Sequence, residues 1–427
     1  MNDISINRLL GYLLAMLLFF SISCSKDEVI PEEEVVENSR TYIYDIFKDS
    51  YFWLEQLPEL DPNQYSTNED LVDALRYDEI DRWGFVIGLD EYKALYEEGE
   101  TKGFGVGLAL TLDDRLMVRF TYAASPMGLA GVDRGWEIIQ INDDALADIA
   151  DLNAAFDTDS EVKFTFLNTA GETVERFMTR TDYKINTVLH WSVIETTEGN
   201  VGYLVFESFL EPLEAELDEP FSFFKAENIE DIVVDLRYNG GGNLGVAFYL
   251  ASLVGGNSIK DKVVASVIYN STRSDENVSY KIPVSDLAVN INRLFFITTE
   301  SSASASEFVI NSMYPYKEVV LVGEKTHGKP VGMEVFLSEE YNIALAPVTF
   351  QVVNAQGNGD YFDGIPVDYD VTDDIFHAWG DPEETCLKQV LDIISGNVSA
   401  VATLKSAQRQ TKGLPLKRGV QEITGAF

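Results

Sequence analysis

Residue types that bind metals or form cross-links are scarce in this sequence. Its 427 residues include two cysteines, Cys24 and Cys386, and three histidines, His190, His327 and His377. Two cysteines cannot build a disulfide framework or a zinc site, and the histidines are too far apart in sequence to form a metal motif. We therefore predict chemistry that needs no metal and no cofactor.

Basic residues are also few. The chain has 31 lysines and arginines against 71 aspartates and glutamates, which gives a formal charge of −40. Because binding to nucleic acid needs a basic face that neutralises phosphates, this balance excludes a nucleic-acid partner. It also disfavours acidic substrates. The 46% of hydrophobic residues is enough for a sizeable core, and the length suggests about three domains.

A long apolar run occurs only at the N-terminus, from Leu9 to Phe20. A run of about a dozen residues is too short to span a bilayer and suits a signal peptide. The following Ser21-Ile22-Ser23-Cys24 resembles a bacterial lipoprotein signal, which implies that Cys24 becomes the lipidated first residue of the mature chain. The resemblance predicts an acidic tether over residues 25–38 and a lipid anchor in the cell envelope, at the periplasmic or surface face of the outer membrane. An ordinary cleaved signal or a membrane anchor helix is the alternative, because Ser21 stands where a leucine is usual.

Residues 39–98 are predicted to form a small helical domain. Apolar residues at helical spacing indicate a helix from Thr41 to Gln56, and Ser66-x-x-Glu69 is a capping box that starts a second one. A third helix is expected from Asp90 to Glu98. No residue pattern in this region indicates chemistry.

The pattern changes at residue 100. Gly103-Phe104-Gly105-Val106-Gly107 precedes a strand-like run, and the segments 125–132 and 135–142 read as a helix, a turn and a strand. Residues 100–185 thereby resemble a PDZ domain. The resemblance implies that Gly103, Phe104, Gly105 and Val106 hold the carboxylate of a peptide, which adds as a strand to the edge of the sheet. An unrelated small β-rich domain is the alternative, since Gly135-Trp136 replaces the more usual Gly-Asp.

Residues 186–397 have the pattern of an α/β core. Short apolar runs at 201–206, 232–236, 294–298 and 319–322 alternate with helical patterns, which predicts a mostly parallel sheet. Sites in such sheets lie at the carboxyl ends of the strands. The turns Asp235–Gly242 and Ser301–Ser306 both follow strands, so we expect them to face one cleft.

The second of these turns carries the candidate nucleophiles Ser302, Ser304 and Ser306. A serine needs a base to remove its proton, and both Lys329 and His327 are candidates. We favour Lys329, because burial without a counter-ion would lower its pKa toward neutrality. An oxyanion would be stabilised by the N–H of Ala305, which follows Ser304 at a helix start, and by the N–H of Gly241. An ordinary strand–helix turn at Asn239–Gly242 is the alternative interpretation.

Together these segments resemble family S41, the C-terminal processing (tail-specific) serine peptidases. The matching blocks are Asp235–Gly242, Ser302–Glu307 and Gly323–Lys329. The resemblance implies a crotonase/ClpP-like core preceded by the PDZ-like domain, with Ser304 as nucleophile and Lys329 as base. It implies an endopeptidase that cleaves unfolded or C-terminal peptide segments through an acyl-enzyme.

Two positions depart from the family pattern. Met333 stands where a glutamine usually orients the lysine, and Pro315 stands where an aspartate is frequent. A catalytically weak or inactive peptide-binding lipoprotein is therefore the alternative, and a Ser304–His327 hydrolase is a third. Residues 398–427, with five basic residues against one acid, are predicted to be a disordered basic tail that could also dock on the acidic body or occupy the cleft.

Overall fold

The computed structural model describes residues 38–397 and 411–412. The predicted signal peptide, the lipidation site Cys24 and nearly all of the predicted tether and tail lie outside the described residues. Within the described part of the chain, no helix has the length and apolar character needed to cross a bilayer.

The N-terminal region contains three α-helices and one strand. Their bounds are α1 Ser39–Ser50, α2 Asn68–Leu75, β1 Phe85–Gly88 and α3 Leu89–Tyr92, which continues into a π-helical turn, Lys93–Glu97. The predicted helix from Thr41 ends at Ser50, and α2 is capped by Thr67, whose side chain accepts from the Asp70 N–H. Apolar residues of these helices share one core with residues of the later chain, including Val331, Leu345 and Val348. The N-terminal region is thereby built into the rest of the molecule.

Residues 100–185 form a β-rich module. It consists of β2 Glu100–Gly103, β3 Val106–Thr111, β4 Leu116–Thr121, α4 Pro126–Leu129, β5 Glu137–Ile141, β6 Asp144–Ala145, α5 Leu152–Phe156, β7 Val162–Leu167, β8 Thr173–Met178 and β9 Thr181–Lys184. Strands β3, β4, β5, β7 and β8 follow one another in an antiparallel sheet, while β2 pairs with β9. Phenylalanines such as Phe104, Phe164 and Phe166 fill its separate core.

The remaining elements build the α/β core. They are β10 Val188–Thr196, β11 Gly199–Phe206, α6 Asp218–Ala226, β12 Asp231–Asp235, α7 Leu244–Gly255, β13 Ala265–Tyr269, β14 Val278–Tyr280, β15 Arg293–Thr298, α8 Ala305–Met313, β16 Glu318–Gly323, β17 Val331–Met333, β18 Phe336–Ser338, β19 Ile343–Ala346, β20 Val348–Asn354, β21 Tyr369–Asp370 and α9 Thr385–Ile394. Short 3₁₀ turns occur at Leu54–Gln56, Pro62–Gln64, Leu146–Asp148, Glu211–Leu217, Gly256–Ile259 and Ser271–Glu276.

The central sheet runs in the order β10-β11-β12-β15-β16-β21, and all its pairs are parallel except β10–β11. Helices cover both of its faces. Val234 of β12 packs in the core that contains α6, α7 and α8, while its neighbour Val233 packs against α9. Burial on both faces explains why the sequence of β12 is continuously apolar rather than alternating.

Two smaller sheets adjoin the central one. One has the order β14-β13-β20-β17, and the other joins β1 to β19 and β18. A last strand, β22 Thr411–Lys412, pairs antiparallel with β3 of the module. These two residues belong to the segment predicted to be disordered, and they form a strand instead.

Candidate active site

The two strand-to-helix turns predicted to share a cleft lie side by side. The turn after β12 ends in Asn239-Gly240-Gly241-Gly242, and the turn after β15 leads through Ser304 into α8. The Ala303 N–H donates to the Asn239 carbonyl oxygen at 3.1 Å, and the Ser306 hydroxyl donates to the same oxygen at 3.0 Å. Parallel pairing of β12 with β15 brings their carboxyl ends together.

The three serines of the second turn have different environments. Ser302 and Ser306 are completely buried, and their hydroxyls donate to the carbonyl oxygens of Leu236 and Asn239. Ser304 instead lines a cavity of about 880 Å³. Its backbone has φ 54° and ψ −111°, a conformation that is strained for a residue with a side chain. Strain of this kind often accompanies function, so the structure singles out Ser304 among the three.

Glu307, in the first turn of α8, accepts hydrogen bonds from both the turn that carries Ser304 and the turn that carries Lys329. Its buried carboxylate accepts from the N–H groups of Ser304 at 3.0 Å, Gly328 at 2.7 Å and Lys329 at 2.8 Å, and from the Thr326 hydroxyl at 2.5 Å. Burial raises the pKa of Glu307, and these four hydrogen bonds oppose that rise. Sequence reasoning assigned Glu307 no role, although Ser304-x-x-Glu307 is itself a capping box.

Lys329 lines the same cavity as Ser304. Its side chain is buried, with 4% of its surface exposed, and burial lowers its pKa from 10.5 to about 8. The carboxylates of Asp81 and Glu307 act in the opposite direction. As pH rises through about 8, Lys329 therefore becomes an uncharged amine, the form that a general base must have.

The expectation that Lys329 has no counter-charge was wrong, because the carboxylates of Asp81 and Glu307 both act on it. Asp81 is buried, and its carboxylate accepts from the Tyr51 hydroxyl at 2.8 Å and from the Trp83 N–H at 2.9 Å. The position where a glutamine was expected is Met333, at the end of β17 on the cavity wall. The N-terminal region packs against the later chain, and the Trp83 indole beside Asp81 bonds to His327, so Asp81 acts on Lys329 through tertiary packing that no local sequence signal marks.

His327 is held away from the catalytic role. Its Nε2 accepts from the Trp83 indole N–H at 3.3 Å, and its carbonyl oxygen accepts from the Arg82 guanidinium at 3.1 Å. Burial, aided by the charge of Arg82, lowers the pKa of His327 to about 4. His327 is also not among the described residues that line the cavity with Ser304. The geometry therefore favours Lys329 over His327 as the base.

The two predicted oxyanion donors differ. Ala305 is the first residue of α8, where an N–H has no carbonyl within the helix to bond and the helix dipole favours negative charge. Gly241 lies on the cavity wall, but its N–H donates to the Asn239 side-chain oxygen at 2.8 Å. This contradicts the prediction that Gly241 offers an open N–H. In this conformation Gly241 instead provides space, because a Cβ there would lie 2.8 Å from the Ser304 Cβ.

The predicted peptide-binding residues lie in the module and not on the cavity wall. Gly103 pairs with Thr181 at the end of β2, and the Phe104 ring is buried in the module core. Gly105 has φ 71° and packs against Ser125, and Val106 begins β3. Among residues 38–397, no group of three or more acidic, histidine or cysteine side chains is arranged to hold a metal ion.

Ser304 is half-buried and Lys329 is buried, and both line one cavity at the carboxyl ends of the parallel strands, which is the arrangement expected of a serine hydrolase. The sequence matches the models for peptidase family S41 over residues 200–372 and for the peptidase S41 N-terminal domain over residues 38–85. The chain belongs to peptidase family S41, a family of serine peptidases.

Relatives with curated descriptions agree with this assignment. The chain is 25% identical over 243 residues to a chloroplastic carboxyl-terminal-processing peptidase 3 of Arabidopsis thaliana. The aligned region covers 53% of this chain and 45% of the relative. It is 23% identical over 316 residues to a CtpA-like serine protease of Staphylococcus epidermidis, and the aligned region covers 73% of this chain and 60% of the relative. The chain thus spans only about half of the length of these relatives.

A solved structure confirms the fold. The crystal structure of an S41 protease from Bacteroides fragilis superimposes with a TM-score of 0.71 at 22% sequence identity, over 84% of this chain and 98% of the other. The mixed α/β peptidase fold with an N-terminal helical region, predicted from the sequence, is therefore confirmed.

Proposed function

We propose that this protein is a lipid-anchored serine endopeptidase of the cell envelope that cleaves unfolded or C-terminal peptide segments through a Ser304–Lys329 dyad. One observation carries the proposal. Ser304 and Lys329 line one cavity, and burial lowers the pKa of Lys329 to about 8. The names of the processing peptidases among its relatives support a peptide substrate.

In this mechanism the neutral Lys329 amine accepts the proton of the Ser304 hydroxyl while Oγ attacks the peptide carbonyl carbon. The Ala305 N–H stabilises the resulting oxyanion. The Lys329 ammonium then returns the proton to the leaving amine, the C–N bond breaks and an acyl-enzyme remains. Water, deprotonated by Lys329, hydrolyses the ester and regenerates Ser304.

The cavity walls suggest which peptides enter. Apolar side chains such as Leu95, Phe209 and Phe350 supply most of the lining, together with the carboxylates Glu97, Glu207 and Glu211. Lys329 is the single lysine or arginine among the described lining residues. A neutral or basic apolar segment therefore fits this field better than an acidic one.

The finer parts of the assignment rest on resemblance. We propose that residues 100–185 are a PDZ-like module, that the core has the crotonase/ClpP-like fold, and that Gly103, Phe104, Gly105 and Val106 hold the peptide carboxylate. The loop leads directly into β3, whose inner side bonds to β4 and whose outer side carries the two-residue strand β22, and this arrangement supports that proposal. The lipid anchor at Cys24 and the outer-membrane location rest on the N-terminal sequence.

The test is peptide cleavage by the full chain with an unstructured fluorogenic peptide. We expect Ser304→Ala and Lys329→Ala each to reduce kcat/KM by at least about 10³-fold, while Ser301→Ala, a half-buried neighbour, retains activity. Equal cleavage by wild type and Lys329→Ala would refute the dyad. Loss of activity in His327→Ala with full activity in Lys329→Ala would assign the base to His327.

A peptide-binding protein with weak or no catalysis is the second candidate function. The engagement of the Gly241 N–H by Asn239 favours it, because one predicted oxyanion donor is already occupied. Saturable peptide binding without cleavage by wild type between about pH 6 and pH 10 would favour this candidate.

A further inference from the structure

The outer side of β3, in the sheet of the module, is paired with a C-terminal segment of the same chain. Strand β22 pairs antiparallel with β3, with Thr411 opposite Thr111 and Lys412 opposite Leu110. The sheet order is β22-β3-β4-β5-β7-β8, so β22 covers the side of β3 that has no other strand. An uncovered strand edge presents unpaired N–H and C=O groups, which an added strand satisfies.

This edge is also where the proposed function places the substrate. Strand β3 begins at Val106, directly after the Gly103–Gly105 loop. A peptide that adds to the sheet beside that loop must use the outer side of β3, because the inner side is bonded to β4. The tail strand pairs with Leu110 and Thr111, so a peptide that extends from the loop along the whole outer side of β3 competes with it for the backbone groups of these two residues.

Charge favours the same contact. Lys412 lies in a tail that also contains Lys405, Arg409, Lys417 and Arg418, on a chain whose formal charge is −40. The turn that follows β3 exposes Asp113 and Asp114. Attraction between the basic tail and the acidic body adds to strand pairing, and this attraction weakens as salt concentration rises.

We propose that the C-terminal segment around Thr411–Lys412 is an internal ligand of the β3 edge, which blocks peptide capture until a substrate displaces it. The proposal rests on the proposed role of the module as the site of peptide capture. A tethered segment acts at an effective concentration in the millimolar range. A free peptide must therefore bind more tightly than the tail, or be abundant, before it reaches the edge.

The test measures binding rather than cleavage, so that it does not depend on the catalytic proposal. The probe is a fluorescently labelled peptide with the sequence of residues 405–418, added to the full chain carrying Ser304→Ala. A second protein also carries Thr411→Pro and Lys412→Pro, which remove the two N–H groups of β22. The matched control carries Lys417→Pro, outside the paired residues.

We expect the double-proline protein to bind the probe about tenfold or more tightly than its parent, because the tethered competitor is gone. The Lys417→Pro control should bind like the parent. Amide hydrogen exchange over residues 106–111 should be faster in the double-proline protein and should slow again when the probe is added. This second readout locates the contact on β3.

Equal probe affinity in the parent and double-proline proteins would overturn the proposal, as would unchanged exchange in β3. Protection of β3 that depends on protein concentration would also overturn it, because the strand would then come from a second copy. If wild type cleaves no peptide but the double-proline protein gains probe binding, the catalytic proposal fails and the internal ligand stands. If cleavage depends on Ser304 but the proline substitutions change nothing, the catalytic proposal stands and the internal ligand is refuted.

Discussion

Lys329 is balanced between burial, which favours its neutral form, and two carboxylates that favour its charged form. Burial dominates and lowers the pKa to about 8, while Asp81 and Glu307 limit the shift. Because the base must be neutral, kcat/KM should rise as pH rises through about 8. The pKa of the neighbouring His327 is near 4, so the His327 ring stays neutral across this pH range.

Removing the charge of Asp81 should shift this rise to lower pH. In Asp81→Asn the side-chain oxygen can still accept from the Trp83 N–H. The side-chain NH₂ group can donate to the Tyr51 hydroxyl oxygen, which replaces the bond that this hydroxyl donates to Asp81. Loss of one negative charge should lower the pKa of Lys329, and with it the acidic limb of the kcat/KM profile, by on the order of one pH unit. Profiles of kcat/KM from pH 6 to 10 measure this shift, and Asp78→Asn, at an exposed position, is the control.

An unchanged acidic limb in Asp81→Asn, with kcat/KM at high pH intact, would show that Asp81 does not act on the base. A uniform loss of activity at every pH would instead indicate a structural role of Asp81 in the loop that carries Trp83.

Glu307 should be essential for the geometry of both turns. Each of its carboxylate oxygens accepts two hydrogen bonds, so in Glu307→Gln the amide group must face two donors wherever it points. We expect a loss of about 1–3 kcal/mol in the free energy of unfolding and a fall in kcat larger than any change in KM. Urea unfolding and steady-state kinetics measure the two effects, and exposed Glu340→Gln is the control. Wild-type kcat in Glu307→Gln would contradict this assignment.

At the scale of elements, the glycine turn after β12 must leave room for the serine turn. Gly241 has φ 108°, and a Cβ there would approach the Ser304 Cβ to 2.8 Å and the Ala303 oxygen to 3.0 Å. Gly241→Ala should therefore displace Ser304 and lower kcat by about 10²-fold, as displacements near 1 Å commonly do.

Gly131→Ala separates the effect of the clash from that of backbone strain. Gly131 has φ 72°, yet no atom lies within 4 Å of the position its Cβ would take. It should lose stability without a comparable loss of kcat. Similar kcat values for the two variants would show that Gly241 does not limit the position of Ser304.

The sequence predicts the elements of this site better than the contacts between them. The apolar run 232–236 and the small residues around Ser304 locate the two turns, because local periodicity and turn chemistry determine strands and helix starts. Asp81 could not be predicted, since it reaches Lys329 through tertiary packing from more than 240 positions away. The commitment of the Gly241 N–H to Asn239 was equally hidden, because a glycine-rich turn has several backbone paths of similar energy.

At the scale of the whole molecule, a buried charge network joins the module to the core. Arg134 of the module is 2% exposed and bonds to the Tyr238 hydroxyl at 2.9 Å and to Asp373 at 3.2 Å. Asp373 also accepts from Arg237 at 2.8 Å. Burial alone would raise the pKa of Asp373, but Arg237 and Arg134 outweigh it and hold the pKa well below its ordinary value. The network thus joins the module to the chain that follows β12 and to the chain that follows β21.

Arg134→Met should uncouple the module from the core. Asp373 keeps Arg237 as a partner, but Tyr238 and the carbonyl oxygens that Arg134 contacts lose a donor. Breaking one partner of a buried ionic network lowers the free energy of unfolding by about 3–5 kcal/mol. Urea unfolding at pH 7 measures this loss, and Arg134→Lys, which keeps the charge, should lose less.

The pH dependence of the same variant separates charge from packing. A carboxyl with a depressed pKa in the folded state contributes stability above its unfolded pKa, and this contribution disappears as pH falls through the folded value. Wild-type stability should therefore decline below about pH 4, and the decline should be smaller in Arg134→Met, where the pKa of Asp373 is depressed less. Parallel declines in the two proteins would mean that Arg134 stabilises the junction through its stacking on Trp379, 3.9 Å from the ring centre, and not through its charge.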